Sequence, residues 1–228
     1  MRLVGCATCI VAGLGWVALA PGAEIRGVVL YTGTLVDRAK SPVTIDQYIC
    51  GKEKDAEDLV LSAKRGVLNA VVWLENPPRG ARWENPLPKV EMDQKGCVFA
   101  PRVVVVPVGG TVDFLNSDRL LHNLHSQSKD NAPFSRTQSL GRTIPITFTK
   151  PEIVAITCDL HSWMRSWVVV ADHPFYAVTD QAGGFTIPSV PPGKYTVRMW
   201  HEALGSATRE IVVGPKEAAL TIDIKVRP

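Results

Sequence analysis

The 228-residue chain has no basic run, no internal repeat and no low-complexity tract. Its 25 Lys and Arg stand against 22 Asp and Glu, too even a balance to argue for nucleic acid as a partner. After the first twenty residues there is no second long apolar stretch, so no membrane span is expected in the mature protein. Nucleophile elbow, phosphate loop and paired-carboxylate signals are all missing. His201-Glu202 begins like a zinc-protease helix, but position 205 is Gly where H-E-x-x-H needs the second His, so the pair reads as a surface loop at a strand end. Histidine and methionine are scarce, at 5 and 4 residues.

What is present begins at the N-terminus. Met1-Arg2 is followed by an apolar stretch from Leu3 to Ala20 and then by small residues at Gly22 and Ala23. This pattern is expected to be a secretory signal peptide over residues 1–23, which places the mature protein in the periplasm or otherwise outside the cytoplasm. Its removal takes Cys6 and Cys9 with it and leaves Cys50, Cys97 and Cys158. An odd count means either one disulfide and one special thiol or three loose thiols, and an oxidising compartment favours the first.

The special thiol is marked by its neighbours. Cys158-Asp159-Leu160-His161-Ser162-Trp163-Met164 sets a thiolate, an imidazole and a thioether at C-x-x-H-x-x-M spacing, and His122 upstream can add a second imidazole. Cys, two His and a weak axial Met are the donors of a mononuclear blue-copper site. With Cys158 in that set, Cys50 and Cys97 are expected to pair. The closed loop of about 48 residues would contribute roughly 3–4 kcal/mol on the loop-entropy model.

The rest of the chain reads as β throughout. Strands are expected over 25–31, 67–74, 102–106, 111–115, 144–148, 153–157 and 167–170, with at most a short helix in 52–64. From about Asp172 the texture changes to Gly- and Pro-rich turns feeding alternating strands, as in Val190-Pro191-Pro192-Gly193-Lys194-Tyr195. The expected organisation is therefore all-β, with a Greek-key sandwich carrying an N-terminal extension over 24–172 and a second small sandwich over 173–228. At about 55 residues the second unit is close to the lower limit of independent stability.

Phe99-x-Pro101, Val108-Gly109-Gly110-Thr111-Val112-x-Phe114-x-Asn116, His122-Asn123 and Cys158-x-x-His161-x-x-Met164 together resemble the cupredoxins of the plastocyanin, pseudoazurin and amicyanin group. The short spacing from His161 to Met164 is most similar to amicyanin. The resemblance implies one copper ion held by His122, Cys158 and His161 with Met164 axial, and Asn123 bracing the ligand loops through hydrogen bonds. It also implies a docking patch of apolar residues around an exposed imidazole. Thr179-Asp180-x-x-Gly183-x-Phe185-x-Ile187 and Val190-Pro191-Pro192-Gly193-x-Tyr195-Thr196-Val197 resemble the carboxypeptidase regulatory-like, or transthyretin-like, sandwich. Both halves together are similar to bacterial exported proteins labelled methylamine-utilisation or plastocyanin-like.

These features point to a non-enzymatic electron-transfer protein that exchanges single electrons with a redox partner such as a cytochrome or a dehydrogenase. The rival is a copper carrier or storage protein with a type-2-like site that includes His125. A carrier often has Met- or His-rich tracts, which this chain lacks. His125 is either a rim residue or a further ligand, since residues 122 and 125 face opposite sides of an extended strand but converge in a turn. Trp163 and Trp167 either form the docking patch or pack the junction between the two units.

Overall fold

The computed structural model describes residues 22–35, 37–215 and 219–227. Nearly all of the expected signal peptide lies outside them. The fold is all-β, with one four-residue helix, Gln47–Cys50, among the described residues. No helix among those residues is long and apolar enough to cross a membrane.

Two sandwiches account for the main sheets. In the first, a five-stranded sheet runs in the order Ser135–Gln138, His122–Ser126, Glu152–Thr157, Arg165–Ala171, Val103–Pro107. It packs on a four-stranded sheet ordered Ile144–Thr147, Thr111–Asn116, Val90–Gln94, Phe99–Ala100. Met92, Phe99, Phe114, Leu124, Phe148, Ile156 and Val168 fill the core between them. In the second, Gly184–Val190, Ala23–Tyr31 and Ala219–Val226 form one sheet. Tyr176–Val178, Val71–Leu74, Gly193–His201 and Gly205–Val213 form the other.

The strands do not divide the chain at residue 172 as expected. Ala23–Tyr31 runs parallel to Ala219–Val226, in unbroken register from Glu24↔Ala219 to Tyr31↔Val226, and antiparallel to Gly184–Val190. Val71–Leu74 pairs with Tyr176–Val178 and Gly193–His201. The first sandwich is thus inserted into the second. The physical reason is core size: the C-terminal strands alone bury too little, and the N-terminal ones bring Ile25, Val29, Tyr31, Val67, Val72 and Leu74 into their core.

Only part of the N-terminal extension belongs to the first sandwich. Ser41–Pro42 pairs with Glu53–Lys54, and the helix Gln47–Cys50 lies between them. The expected helical tendency of 52–64 gives way here to the Glu53–Lys54 strand and to turns. Val43 and Cys50 are buried in the first sandwich's core. A Cys50–Cys97 disulfide closes this lobe onto it, with Cα atoms 5.3 Å apart, and Cys158 is the free cysteine among the described residues.

The two units meet along one face of the five-stranded sheet. Its central strands read as continuous apolar runs because both faces are covered. Val104, Val106, Val168 and Val170 point into the first core. Val103, Val105, Trp167 and Val169 point the other way, against Val71, Trp73, Tyr176 and Trp200. The Trp167 and Trp200 rings meet edge to face at 5.0 Å.

Arg102 and Glu202 span this junction, with Nε–Oε1 at 2.5 Å and Nη2–Oε2 at 3.0 Å, and their side chains are 9% and 7% exposed. Glu202 opens the turn after the strand Gly193–His201, the strand-end place expected from sequence, but His201 is buried and the Glu202 side chain is covered rather than on the surface. Arg102→Met is expected to destabilise the protein by about 3–5 kcal/mol, because it leaves a buried carboxylate alone. Adding Glu202→Leu should restore most of that. Urea unfolding of the single and double variants checks both, and equal losses in the two would contradict a paired burial.

Candidate metal centre

Strand ends and two loops build the site. Asn116 closes the strand Thr111–Asn116 and organises the turn that follows. Its Nδ2 donates to the Leu120 and Gln138 carbonyls, each at 3.0 Å, and its Oδ1 accepts the Asp118 N–H at 3.1 Å. That turn delivers His122 at the first position of the strand His122–Ser126. The strand pairs antiparallel with Glu152–Thr157 through Ile156↔Ser126 and Thr157↔His125. Cys158 is one residue past that pairing, so it lies beside His122 and Asn123. The Cys158–Met164 loop then folds back on itself: Met164 N donates to His161 O at 2.9 Å and Cys158 N to Met164 O at 3.3 Å.

Three donors converge. His122 Nδ1 and His161 Nδ1 are 3.0 Å apart, and Cys158 Sγ is 4.0 Å from the first and 3.7 Å from the second. A triangle with these edges has a circumradius of about 2.1 Å. First-row metal ions bond imidazole nitrogen and thiolate sulfur at about 2.0–2.3 Å, so one ion can reach all three donors. Both imidazoles are 0% exposed, Cys158 is 3% and Met164 1%. Met164 belongs to the same core cluster as Cys158. A second grouping, Cys97 with Asp118 and His122, offers no thiolate because Cys97 is in the disulfide.

The outer nitrogens show why the inner ones point inward. His122 Nε2 is 3.0 Å from Asp118 Oδ2, and His161 Nε2 is 3.1 Å from Asp46 Oδ2. A carboxylate accepts, so each Nε2 donates its proton outward and leaves Nδ1 as the nitrogen that faces the cluster. Burial holds His122 below the usual imidazole pKa, against the raising effect of its Asp118 hydrogen bond. Two facing lone pairs and a sulfur suit a cation among them, and the soft-plus-imidazole set suits copper.

Asn123 braces the loops. Its backbone N–H donates to Cys158 Sγ at 3.3 Å, its Nδ2 to Ser135 Oγ at 3.0 Å, and its Oδ1 accepts the Asp159 N–H at 3.4 Å. His125 is not with the donors. In the strand it faces away from His122, is 45% exposed in its side chain, and pairs with Asp159 at 2.7 Å. Trp163 lies 5.1 Å from the His161 ring, donates Nε1–H to Cys97 O at 2.9 Å, and lines a cleft of about 510 Å³ with Arg102 and Arg165. Trp167 is at the junction of the units, away from the cluster.

Sequence reasoning missed Asp118 and Asp46. Asp118 stands four residues before His122, a spacing that could have been read. Asp46 is 115 residues from His161, and nothing local marks it.

A family model described as polysaccharide lyase family 4, domain II, matches residues 149–221. That span crosses from the first sandwich into the second and takes in under half of the chain. No curated protein matches the chain. Among solved structures it is similar to a copper-containing nitrite reductase from Thermus scotoductus SA-01, at 29% identity and TM-score 0.36 over 42% of this chain and 25% of that one. It is similar to a purple cupredoxin from Nitrosopumilus maritimus, at 20% identity and TM-score 0.33 over 36% of this chain and 100% of that one. It is also similar to an amicyanin variant in the Cu(I) state, at 21% identity and TM-score 0.35 over 44% and 98%. The chain thus spans a quarter of the nitrite reductase's length. The donor triangle, not these likenesses, carries the case for a metal.

The two upstream histidines separate cleanly in this geometry. His122→Ala is expected to weaken copper binding by more than the roughly 10–100-fold that loss of an outer hydrogen-bond partner costs. His125→Ala should keep one copper per chain. Metal stoichiometry with electron paramagnetic resonance checks both, and loss of copper from His125→Ala alone would reverse the assignment.

Proposed function

We propose that this chain is an exported mononuclear copper protein that passes single electrons between redox partner proteins. The supporting observation is the buried triangle of two imidazole nitrogens and one thiolate sulfur whose common centre is at metal-bonding distance from each. His122, Cys158 and His161 would hold the ion, and Met164, buried in the same core cluster as Cys158, would offer a thioether. When bound, copper supplies a one-electron couple between Cu(I) and Cu(II), for which sulfur donors suit the reduced state and imidazoles suit both.

The remaining work belongs to the chain. Two paired β-sheets fix the donors, so they need not move when charge changes. The Asn123 N–H donates to the sulfur and helps to fix its position. Burial of all three donors keeps water from the centre. Both imidazoles are covered, so His161 does not present the exposed ring that the cupredoxin resemblance implies. We assign the link to the surface to Trp163, whose ring lies tilted 5.1 Å from that of His161 and which lines the cleft beside Arg102 and Arg165. The partner would be a redox protein such as a cytochrome or a dehydrogenase.

The carrier reading needs His125 as a ligand, and its outward pairing with Asp159 speaks against that. An enzymatic role is not part of this proposal, which rests on a buried donor set. The second sandwich, with its carboxypeptidase regulatory-like resemblance, would serve as the support on which the five-stranded sheet rests.

Copper-loaded protein is expected to bind one ion and show an intense thiolate-to-copper band in the red. Cys158→Ser should lose the band and keep the β circular-dichroism spectrum and cooperative unfolding. A weak, broad band in the wild type, or an unchanged spectrum in Cys158→Ser, would contradict the proposal.

A further inference from the structure

His161 has no solvent-exposed surface, and what covers its outer nitrogen comes from outside the sandwich's own strands. Asp46 reaches it from the lobe of residues 41–54, with Oδ2 at 3.1 Å from Nε2. The lobe is tied at several points. The Asp46 carbonyl accepts the N–H of Ile49 at 3.0 Å and of Cys50 at 2.9 Å, and Gln47 Nε2 donates to Val43 O at 2.6 Å. Val43 N donates to Lys52 O at 3.0 Å, and Lys54 Nζ to Gly96 O at 2.6 Å. The Cys50–Cys97 disulfide fastens the lobe beside the ligand loop, since the Cys97 carbonyl also accepts Trp163 Nε1–H at 2.9 Å. Asp46 itself takes a left-handed backbone, φ 54°, which Asp tolerates better than most residues. The backbone that carries its carboxylate is therefore held in place beside His161 by the lobe.

We infer that Asp46 is a positioning residue for His161. Its carboxylate accepts the Nε2 proton, fixes that tautomer, and keeps the Nδ1 lone pair directed at Cys158 and His122. An anion on the outer nitrogen also makes the imidazole a stronger donor, which favours the more highly charged copper state and lowers the reduction potential. The identity of the ion rests on the copper reading above; the tautomer does not. The extension is thereby given a task at the metal centre: the disulfide-tied lobe replaces solvent over this ligand with one fixed carboxylate.

Two variants test this in the full chain. Asp46→Gly removes the carboxylate while allowing the left-handed backbone without strain. Asp46→Asn keeps an acceptor oxygen and removes the charge. Ring ¹⁵N shifts of His161 in metal-free protein at mildly alkaline pH report the tautomer, and copper titration and voltammetry report the centre. The wild type should show protonated Nε2. Asp46→Gly should show mixed tautomers, copper binding weaker by about 10–100-fold, and a raised potential. Asp46→Asn should keep the tautomer, with a potential between the two. Unchanged tautomer, affinity and potential in folded Asp46→Gly would overturn the inference, and so would a wild type protonated at Nδ1. Should Asp46→Gly fail to fold, the tautomer of the wild type and the potential of Asp46→Asn still decide. A wild type that takes up no copper would instead sink the copper reading, with the tautomer result standing apart from it.

Discussion

Buried lone pairs that face one another repel unless a cation sits among them, and the layout of the first sandwich answers to that constraint. His122, His161 and Cys158 present two nitrogens and a sulfur to one point, and no solvent is there to relieve them. Each outer imidazole nitrogen is pinned by a carboxylate, which prevents the rings from turning away. Asp118 is itself pinned, accepting the Gly96 and Cys97 N–H groups at 2.6 and 2.7 Å. The same short stretch, Gly96-Cys97, thus anchors the partner of one imidazole and, through the disulfide, the lobe that carries the partner of the other. Removing any of these ties would give the donors freedom to leave their triangle.

The second sandwich enters the argument as a support. The five-stranded sheet holds the first imidazole on one strand and the cysteine loop between two others. Its back face is apolar through Val103, Val105, Trp167 and Val169. The sheet Val71–Leu74 with Gly193–His201 covers that face, and Arg102–Glu202 locks the junction with a buried ion pair. Insertion of one sandwich into the other ties the chain on both sides of the first sandwich, at Val71–Leu74 and at Tyr176–Val178, to neighbouring strands. The donor-bearing sandwich is therefore held at both ends, a stiffer mount than a single linker would give.

Much of the site could be read from residue spacing, and the reason is local. Cys158, His161 and Met164 share one loop, and a loop of seven residues can bring its own side chains together without help from the rest of the fold. The cysteine count pointed to the pair Cys50 and Cys97 for a similarly simple reason. What escaped was long-range. The parallel pairing of Ala23–Tyr31 with Ala219–Val226 leaves no local trace, since alternation in each strand says that one face is buried and not against which strand. His122–Ser126 is Asn- and His-rich, without the β-branched pattern that marks a strand, because its partners and the ligand role override propensity. Nothing in the sequence around Asp46 marks it; only the folded disulfide lobe brings it to His161.

The central claim is that one ion sits among two imidazole nitrogens and one thiolate sulfur. X-ray absorption at the copper edge of loaded protein tests it most directly. The account predicts a single short sulfur scatterer with two nitrogen scatterers, all within about 2.0–2.3 Å of the copper. A first shell without sulfur, or one with three or more imidazole nitrogens, would contradict it.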